Sequence, residues 1–181
     1  MEVKELILNG LANGGRTLDR TLNGLTPAEM KWQPKPDANS IQIVLFHMAR
    51  LEDNTIQSRL QNKKQLWESE SWFEKLKRKA DDNGAHYEAA DLTAFNLDTN
   101  DLMSYIVALR ANTTRYVNSL QPADFDRKIT LAPMGPPPPG GAARPPMELT
   151  VAALLLMLVT HLAQHSGEIS YIRGLKRGMD K

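Results

Sequence analysis

The stretch "VAALLLMLVTHLAQHSGEISYI", Val151–Ile172, decides the fold, because it is a long apolar segment that carries two histidines. On a helix of 3.6 residues per turn, positions spaced by three and four share one stripe. That stripe is formed by Leu154, Leu158, His161, His165, Glu168 or Ile169, and Ile172. Both imidazole rings therefore point where the leucines point, into the protein. They stand about one turn apart, close enough to hold one metal ion together.

A second predicted helix, in "SIQIVLFHMARLED", repeats this feature. Ser40 is a suitable N-cap, and His47 lies on the apolar face that also carries Val44 and Leu51. Burying an imidazole without a polar partner costs free energy. A hydrogen bond to a backbone carbonyl would satisfy each ring separately. A shared divalent ion would satisfy His47, His161 and His165 at once, since such ions bind the neutral ring.

The same helical spacing and the local composition predict the roles or the exposure of four other titratable side chains. Glu168 lies one turn beyond His165. It is a hydrogen-bond partner of a histidine, a fourth metal ligand or an acid/base group, or else one half of a salt bridge with a residue such as Arg173. Glu52 is predicted to be a solvated surface charge. His86, within a polar stretch, is predicted to be exposed.

The hydrophobic pattern predicts four long helices with short accessory pieces, and hence a four-helix bundle. A turn-rich connection follows the first helix, where Pro27, Pro34 and Pro36 occur. The predicted long helices are Val3–Leu25, Ile41–Gln61, Asn100–Leu120, and a last helix from Thr150 to Gly174–Gly178.

Three connecting regions have separate predictions. Gln65–Leu76, which carries three aromatic residues, is a short helix or an ordered loop that covers the bundle. Lys75–Tyr87 is strongly polar and is predicted to be exposed. The Pro/Gly-rich segment Ala132–Pro146, "APMGPPPPGGAARPP", cannot be a helix or an inner strand. It is either a surface excursion with polyproline stiffness or a lid or oligomer contact.

Composition excludes several classes of function. The chain has 181 residues, a net charge of +1 and no cysteine. The length predicts one domain over residues 1–181. The balanced charge argues against electrostatic binding to nucleic acid or to a membrane. The lack of cysteine excludes thiolate ligands and a cysteine nucleophile. Because the N-terminus lacks an apolar signal region and the richest apolar run is too short to span a bilayer, we expect a soluble cytoplasmic protein.

Two long motifs, in the expected order, resemble the DinB-like family, which includes the YfiT-like metal-dependent hydrolases. The first is "LTPAEMKWQPKPDANSIQIVLFHMARLEDNTIQ", Leu25–Gln57, and the second is "HLAQHSGEISYIRGL", His161–Leu175. Between them "LWESESWFEKL", Leu66–Leu76, is similar to the family's tryptophan-bearing segment. The matching positions are Trp32, Pro34, Asn39, Ser40, His47, His161, His165, Gly167, Glu168, Ile169, Arg173 and Gly174.

This resemblance implies an all-α four-helix bundle of the DinB/YfiT-like type that binds a divalent ion through His47, His161 and His165. Zinc is the expected ion, with nickel, iron and manganese as alternatives, because imidazole does not discriminate sharply among them. The resemblance also implies a homodimer. The segment Ala132–Pro146 is longer than is typical of the family.

Proteins that this chain resembles include thiol S-transferases, thiol-dependent isomerases and hydrolases, so the resemblance suggests a transferase or a hydrolase and leaves a non-enzyme as the rival class. Because the chain has no cysteine, any sulfur nucleophile must arrive with a small thiol such as bacillithiol, mycothiol or glutathione. We expect a thiol-dependent S-transferase that acts on small electrophiles. Glu168 would orient a ring or move a proton, and Arg173 would meet an anionic substrate group. The alternatives are a metal-dependent hydrolase and a non-catalytic, stress-related metal-binding bundle.

Overall fold

The computed structural model describes residues 2–132 and 145–178, and it shows the all-α four-helix bundle that the sequence predicts. The long helices are α1, α3 with its π-helical extension, α7 and α8. The elements in chain order are α1 Val3–Leu22, α2 Pro27–Lys31, α3 Ile41–Asp53, the π-helix Asn54–Leu60, α4 Leu66–Ser69, α5 Trp72–Lys75, α6 Ala89–Ala94, α7 Thr99–Ser119, a 3-10 turn Pro122–Asp126, β1 Lys128–Leu131, β2 Met147–Thr150 and α8 Val151–Arg177.

Side-chain caps fix where the helices begin. Ser40 accepts a hydrogen bond from the amide of Ile43 at the start of α3, and Thr150 does the same for α8. α1 ends three residues before the predicted Leu25, because Gly24 turns the chain at a φ of +73°. A reciprocal capping box between Thr26 and Glu29 then begins α2, a helix that the sequence pattern did not predict.

The second long helix changes its winding halfway. The prediction Ile41–Gln61 covers both α3 and the π-helix Asn54–Leu60, but spacing at a period of 3.6 gives no sign of the wider π turns. The region Gln65–Leu76 forms two short helices, α4 and α5. Between them Ser71 has a φ of +54°, which reverses the local winding.

A two-stranded antiparallel hairpin precedes α8, with Lys128 opposite Thr150 and Leu131 opposite Met147. This hairpin was not predicted from the sequence. Its strands flank residues 133–144, so the prediction for Ala132–Pro146 falls almost wholly outside the described residues. Within residues 2–132 and 145–178, no helix combines the length and the hydropathy that a membrane span requires.

The core consists of two apolar clusters that share α8. One is built around Trp67, Phe46, Tyr105 and the α8 residues Ile169 and Ile172. The other contains Ile7, Val117 and the α8 residues Leu154, Leu155 and Leu158. His161 and His165 lie between these two sets along α8. The predicted stripe of α8 is therefore buried as expected, and its two histidines occupy the junction of the clusters.

Two glycines let α1 approach α8 closely. A Cβ atom at Gly14 would lie 2.6 Å from Cδ2 of Leu162, and one at Gly10 would lie 2.7 Å from Cγ1 of Val159. Both distances are far below van der Waals contact. These glycines weaken the isolated helix, but they allow the backbone of α1 to pack against the helix that carries two of the three histidines.

We predict that Gly14→Ala lowers the free energy of unfolding by about 1 kcal/mol, because overpacking against Leu162 outweighs the gain in helix propensity. Gly15 is the matched control, since no atom lies within 4 Å of a Cβ built there. Gly15→Ala should stabilise the protein by about 0.5–1 kcal/mol. Urea denaturation measures both. Equal stabilisation by the two substitutions would show that α1 and α8 are not in close contact.

Candidate metal centre

The structure brings together the three histidines that the sequence singled out. His47 of α3 faces His161 and His165 of α8, and its Nε2 atom lies 3.2 Å from Nε2 of His161. One ring nitrogen from each histidine lies within 4.8 Å of those of the other two, and all three side chains are half-buried. Two helices far apart in sequence thus supply three nitrogen donors to one point.

Hydrogen bonds decide which ring nitrogen of His47 and of His165 faces this point. Nδ1 of His47 lies 3.0 Å from the carbonyl oxygen of Gly84, and Nδ1 of His165 lies 2.7 Å from Oε2 of Glu168. A carbonyl or carboxylate oxygen only accepts, so both Nδ1 atoms carry the proton. The lone pair of each ring is therefore on Nε2, available to the centre. Asn39 in turn donates to the other oxygen of Glu168 at 3.3 Å.

Burial keeps two of these rings neutral at physiological pH. Burial, together with the neighbouring His165 and His47, lowers the pKa of His161 to about 4. Burial also lowers the pKa of His47, although the hydrogen bond to Gly84 opposes that effect. Metal ions bind imidazole only in its neutral form, so no proton has to be displaced from these two rings near pH 7.

The donor set fits a divalent cation. Three imidazole nitrogens bound to one zinc ion at 2.0–2.1 Å would lie about 3.4 Å from one another. The observed separation between His47 and His161 is 3.2 Å, and all three donors are within 4.8 Å. Among residues 2–132 and 145–178, the alternative of a backbone carbonyl partner holds only for Nδ1 of His47. No cysteine competes for the ion.

The Gly84 carbonyl is held by a polar network around Asp82. One carboxylate oxygen of Asp82 accepts from the amide of Gly84 at 3.0 Å and from the hydroxyl of Tyr87 at 2.7 Å. The other oxygen pairs with Arg78 at 2.6 Å. Nε of Arg50 on α3 donates to the backbone carbonyl of Asp82 at 2.9 Å. The loop that orients His47 is therefore tied to the same helix that carries His47.

Arg50 is itself fixed by a buried carboxylate. Asp53, which is fully buried, accepts from Nη1 of Arg50 at 3.3 Å and from the hydroxyl of Tyr105 at 2.6 Å. It also accepts from the amides of Leu66 and Trp67 at 2.9 and 2.8 Å. Burial raises the pKa of Asp53, and these donors oppose that effect. The tryptophan-bearing segment thus positions Arg50, and through Arg50 the loop at His47.

The prediction that Lys75–Tyr87 is exposed is wrong for several of its residues, including Gly84, whose carbonyl contacts His47. Leu76 and Gly84 are buried, and Asp82 and Tyr87 are half-buried. Gly84 has a φ of +74°, and a Cβ there would lie 3.2 Å from the Cα atom of His47. Only glycine fits this position. The Asn-Gly pair at residues 83–84 is a turn signal that pattern analysis could have used.

Three further predictions about individual residues have different outcomes. His86 is exposed, as predicted. Glu52 is not a solvated charge, because it is half-buried, its carboxylate accepts a hydrogen bond from Thr113, and burial raises its pKa. Arg173 does not face the centre or pair with Glu168. It donates to the carbonyls of Thr21 and Asn23 at the end of α1.

Two cavities meet at His47. The larger has a volume of about 820 Å³ and extends toward the π-helix and β1. The smaller, of about 290 Å³, is also lined by His165 and by apolar residues such as Val44 and Leu92. Ala85 and His86 line both cavities. A molecule in the smaller cavity would therefore contact two of the three histidines, and one in the larger cavity would contact His47.

Comparison with known proteins agrees with this architecture. A family model described as the DinB superfamily matches residues 11–169. A crystal structure of a conserved protein from Enterococcus faecalis is 23% identical to this chain, covers 97% of both chains and superposes with a TM-score of 0.75. At this identity the likeness concerns the fold alone. No protein of curated function matches the sequence.

We predict about one divalent ion per chain in protein purified without chelator, since the three nitrogen donors already lie close together. His161→Ala should remove most of this ion, because two remaining nitrogens bind far more weakly. His86→Ala is the control, since His86 is exposed and is not one of the three clustered donors. Elemental analysis gives the ratio. Unchanged metal content in His161→Ala would contradict the assigned site.

We predict that Gly84→Ala weakens metal binding by roughly 10- to 100-fold, the usual effect of losing a partner that orients a ligand. Gly24→Ala is the matched control, because Gly24 has nearly the same φ, +73°, but only an atom at 3.9 Å near its Cβ position. Both variants bear the same backbone strain. Competition with a zinc chelator measures the affinities, and equal loss in both variants would show that the Gly84 carbonyl does not act on His47.

Proposed function

The chain belongs to the DinB superfamily, and we propose that it is a metal-dependent enzyme that joins a small thiol, through its sulfur, to a small electrophile. The observation that carries this proposal is the pair of cavities that share His47. A transferase needs room for two reactants beside one centre. A hydrolase needs room for one substrate and a water molecule, so a second cavity of about 290 Å³ favours the transferase.

His47, His161 and His165 would hold the ion. We propose zinc, with nickel, iron and manganese as alternatives, because all of these accept imidazole ligands. When bound by three histidines, such an ion supplies Lewis acidity, which lowers the pKa of a thiol or a water molecule beside it. The protein provides no thiol of its own, because it has no cysteine.

The residues around the centre would act by orientation. Glu168 is proposed as a positioning residue, since its carboxylate holds Nδ1 of His165 at 2.7 Å and is therefore engaged. Gly84 has the same role for His47. In the reaction the thiol loses its proton to solvent and its sulfur forms a bond to the electrophilic carbon. The leaving group departs with the electron pair of the bond that breaks.

The homodimer implied by the family resemblance stays a prediction. Exposed apolar side chains on α1 and α8 support it, since Leu6 and Leu156 are 56% and 51% exposed. Such side chains commonly occur where two chains associate. The cytoplasmic location and the lack of nucleic-acid and membrane partners also stay predictions.

We predict that the zinc-loaded protein accelerates conjugation of a small thiol with monochlorobimane, from which chloride leaves. Bacillithiol, mycothiol and glutathione are tested in parallel, and product fluorescence gives the rate. His161→Ala, which lacks one ligand, should show at least a tenfold lower rate. His86→Ala, which changes a side chain that lines both cavities, measures how much the cavity wall contributes to the rate. If no thiol is consumed faster than with His161→Ala, the transferase is wrong. Ester hydrolysis without thiol consumption would instead favour the hydrolase.

A further inference from the structure

A row of polar side chains leads from the histidine centre along the second long helix and into the turn that follows it. Beyond His47 it contains Asn54, Ser58, Arg59 and Asn62, all of which line the cavity of about 820 Å³. Hydrogen bonds from i to i+5 widen the turns of the π-helix, so Ser58 and Arg59 both lie on the face of Asn54. Such π segments frequently occur at functional sites.

This cavity has a positive wall. Of the described residues that line it, none is an aspartate or a glutamate. The charge of Arg50 is offset by Asp53. Arg59 is half-buried, and within the described part of the chain no carboxylate pairs with it. Burial is the cause that lowers the pKa of Arg59, with no acidic neighbour to oppose it. A cation in this position gains most from an anionic ligand.

We propose that this cavity binds a carboxylate of the thiol cosubstrate through Arg59, so that the preferred thiols are those that carry carboxylate groups. The inference rests on the proposed function, because it names the class of thiol that the transferase would use. The planar guanidinium matches a carboxylate with two parallel hydrogen bonds.

The distances along the helix suit an extended small molecule. Arg59 follows His47 by roughly three turns, which is about 18 Å at the α-helical rise and somewhat less here, because residues 54–60 have the wider turns of a π-helix. Helical side chains lean toward the N-terminus, which brings the guanidinium closer to the histidines. Each residue of an extended peptide spans about 3.3–3.6 Å. A thiol of tripeptide size spans about 10–11 Å and would cover most of this length, and the Arg59 side chain, which leans toward the histidines, would cover the rest.

The first test measures binding without chemistry. Succinate, a dicarboxylate without a thiol, is titrated calorimetrically into the zinc-loaded and the metal-free protein, which separates binding at Arg59 from binding at the ion. Arg59→Gln should raise the dissociation constant at least tenfold in both forms, and Arg59→Lys should restore part of the affinity. Arg20→Gln is the matched control, because Arg20 is exposed and lines neither cavity.

The second test measures preference. With monochlorobimane, the zinc-loaded protein should use glutathione at least tenfold more efficiently in kcat/KM than glutathione diethyl ester, in which both carboxylates are uncharged. Arg59→Gln should move this ratio toward one, whereas Arg20→Gln should leave it unchanged. Thermal denaturation of each variant confirms that it is folded.

The outcomes separate the two proposals. If succinate binding does not depend on Arg59, the carboxylate site is overturned, whatever the activity. If inorganic phosphate binds more tightly than succinate and depends on Arg59, the anion is a phosphate and the carboxylate assignment is overturned. If succinate binding depends on Arg59 but no thiol is consumed, the carboxylate site stands, and the assignment of its ligand as a thiol fails with the transferase.

Discussion

The hydrogen bond from His47 to the Gly84 carbonyl is the constraint on which the centre depends. A carbonyl can only accept, so this contact fixes the tautomer of the ring and directs its free nitrogen toward α8. The carbonyl is in place because Asp82 and Arg50 hold the loop against α3. Arg50 in turn is positioned by Asp53 and stacks over the ring of Trp67 at 4.3 Å. One chain of contacts links the buried tryptophan to the histidine.

The helix α8, which carries the other two histidines, is positioned by packing and not by a loop. α8 must approach α3 with two histidines aligned, and its position is set by close packing on α1. Gly10 and Gly14 provide the space for this contact. At the far end, Arg173 and Arg177 of α8 donate to backbone carbonyls near the end of α1. The site is thus an outcome of helix packing, and its ligands come from rigid elements, as precise metal sites require.

Much of the architecture follows from the sequence, and the exceptions have physical reasons. Hydrophobic spacing places the four long helices and the inward faces of His47, His161 and His165, because both depend on one helical period. Spacing cannot reveal the π-helix Asn54–Leu60, which is a change of period. It also misjudged the loop around Gly84, whose burial depends on contacts with distant residues such as Arg50 and Asp82. Glu52 was wrongly predicted to be a solvated charge for the same reason, because its carboxylate accepts a hydrogen bond from Thr113 on another helix.

Diffraction from the zinc-loaded protein, recorded across the zinc absorption edge, tests the central claim most directly. We expect one anomalous peak per chain, bonded to Nε2 of His47, His161 and His165, with at least one coordination position not taken by a protein atom. A peak that leaves His47 out, or a fourth protein ligand that closes the ion off, would contradict the account.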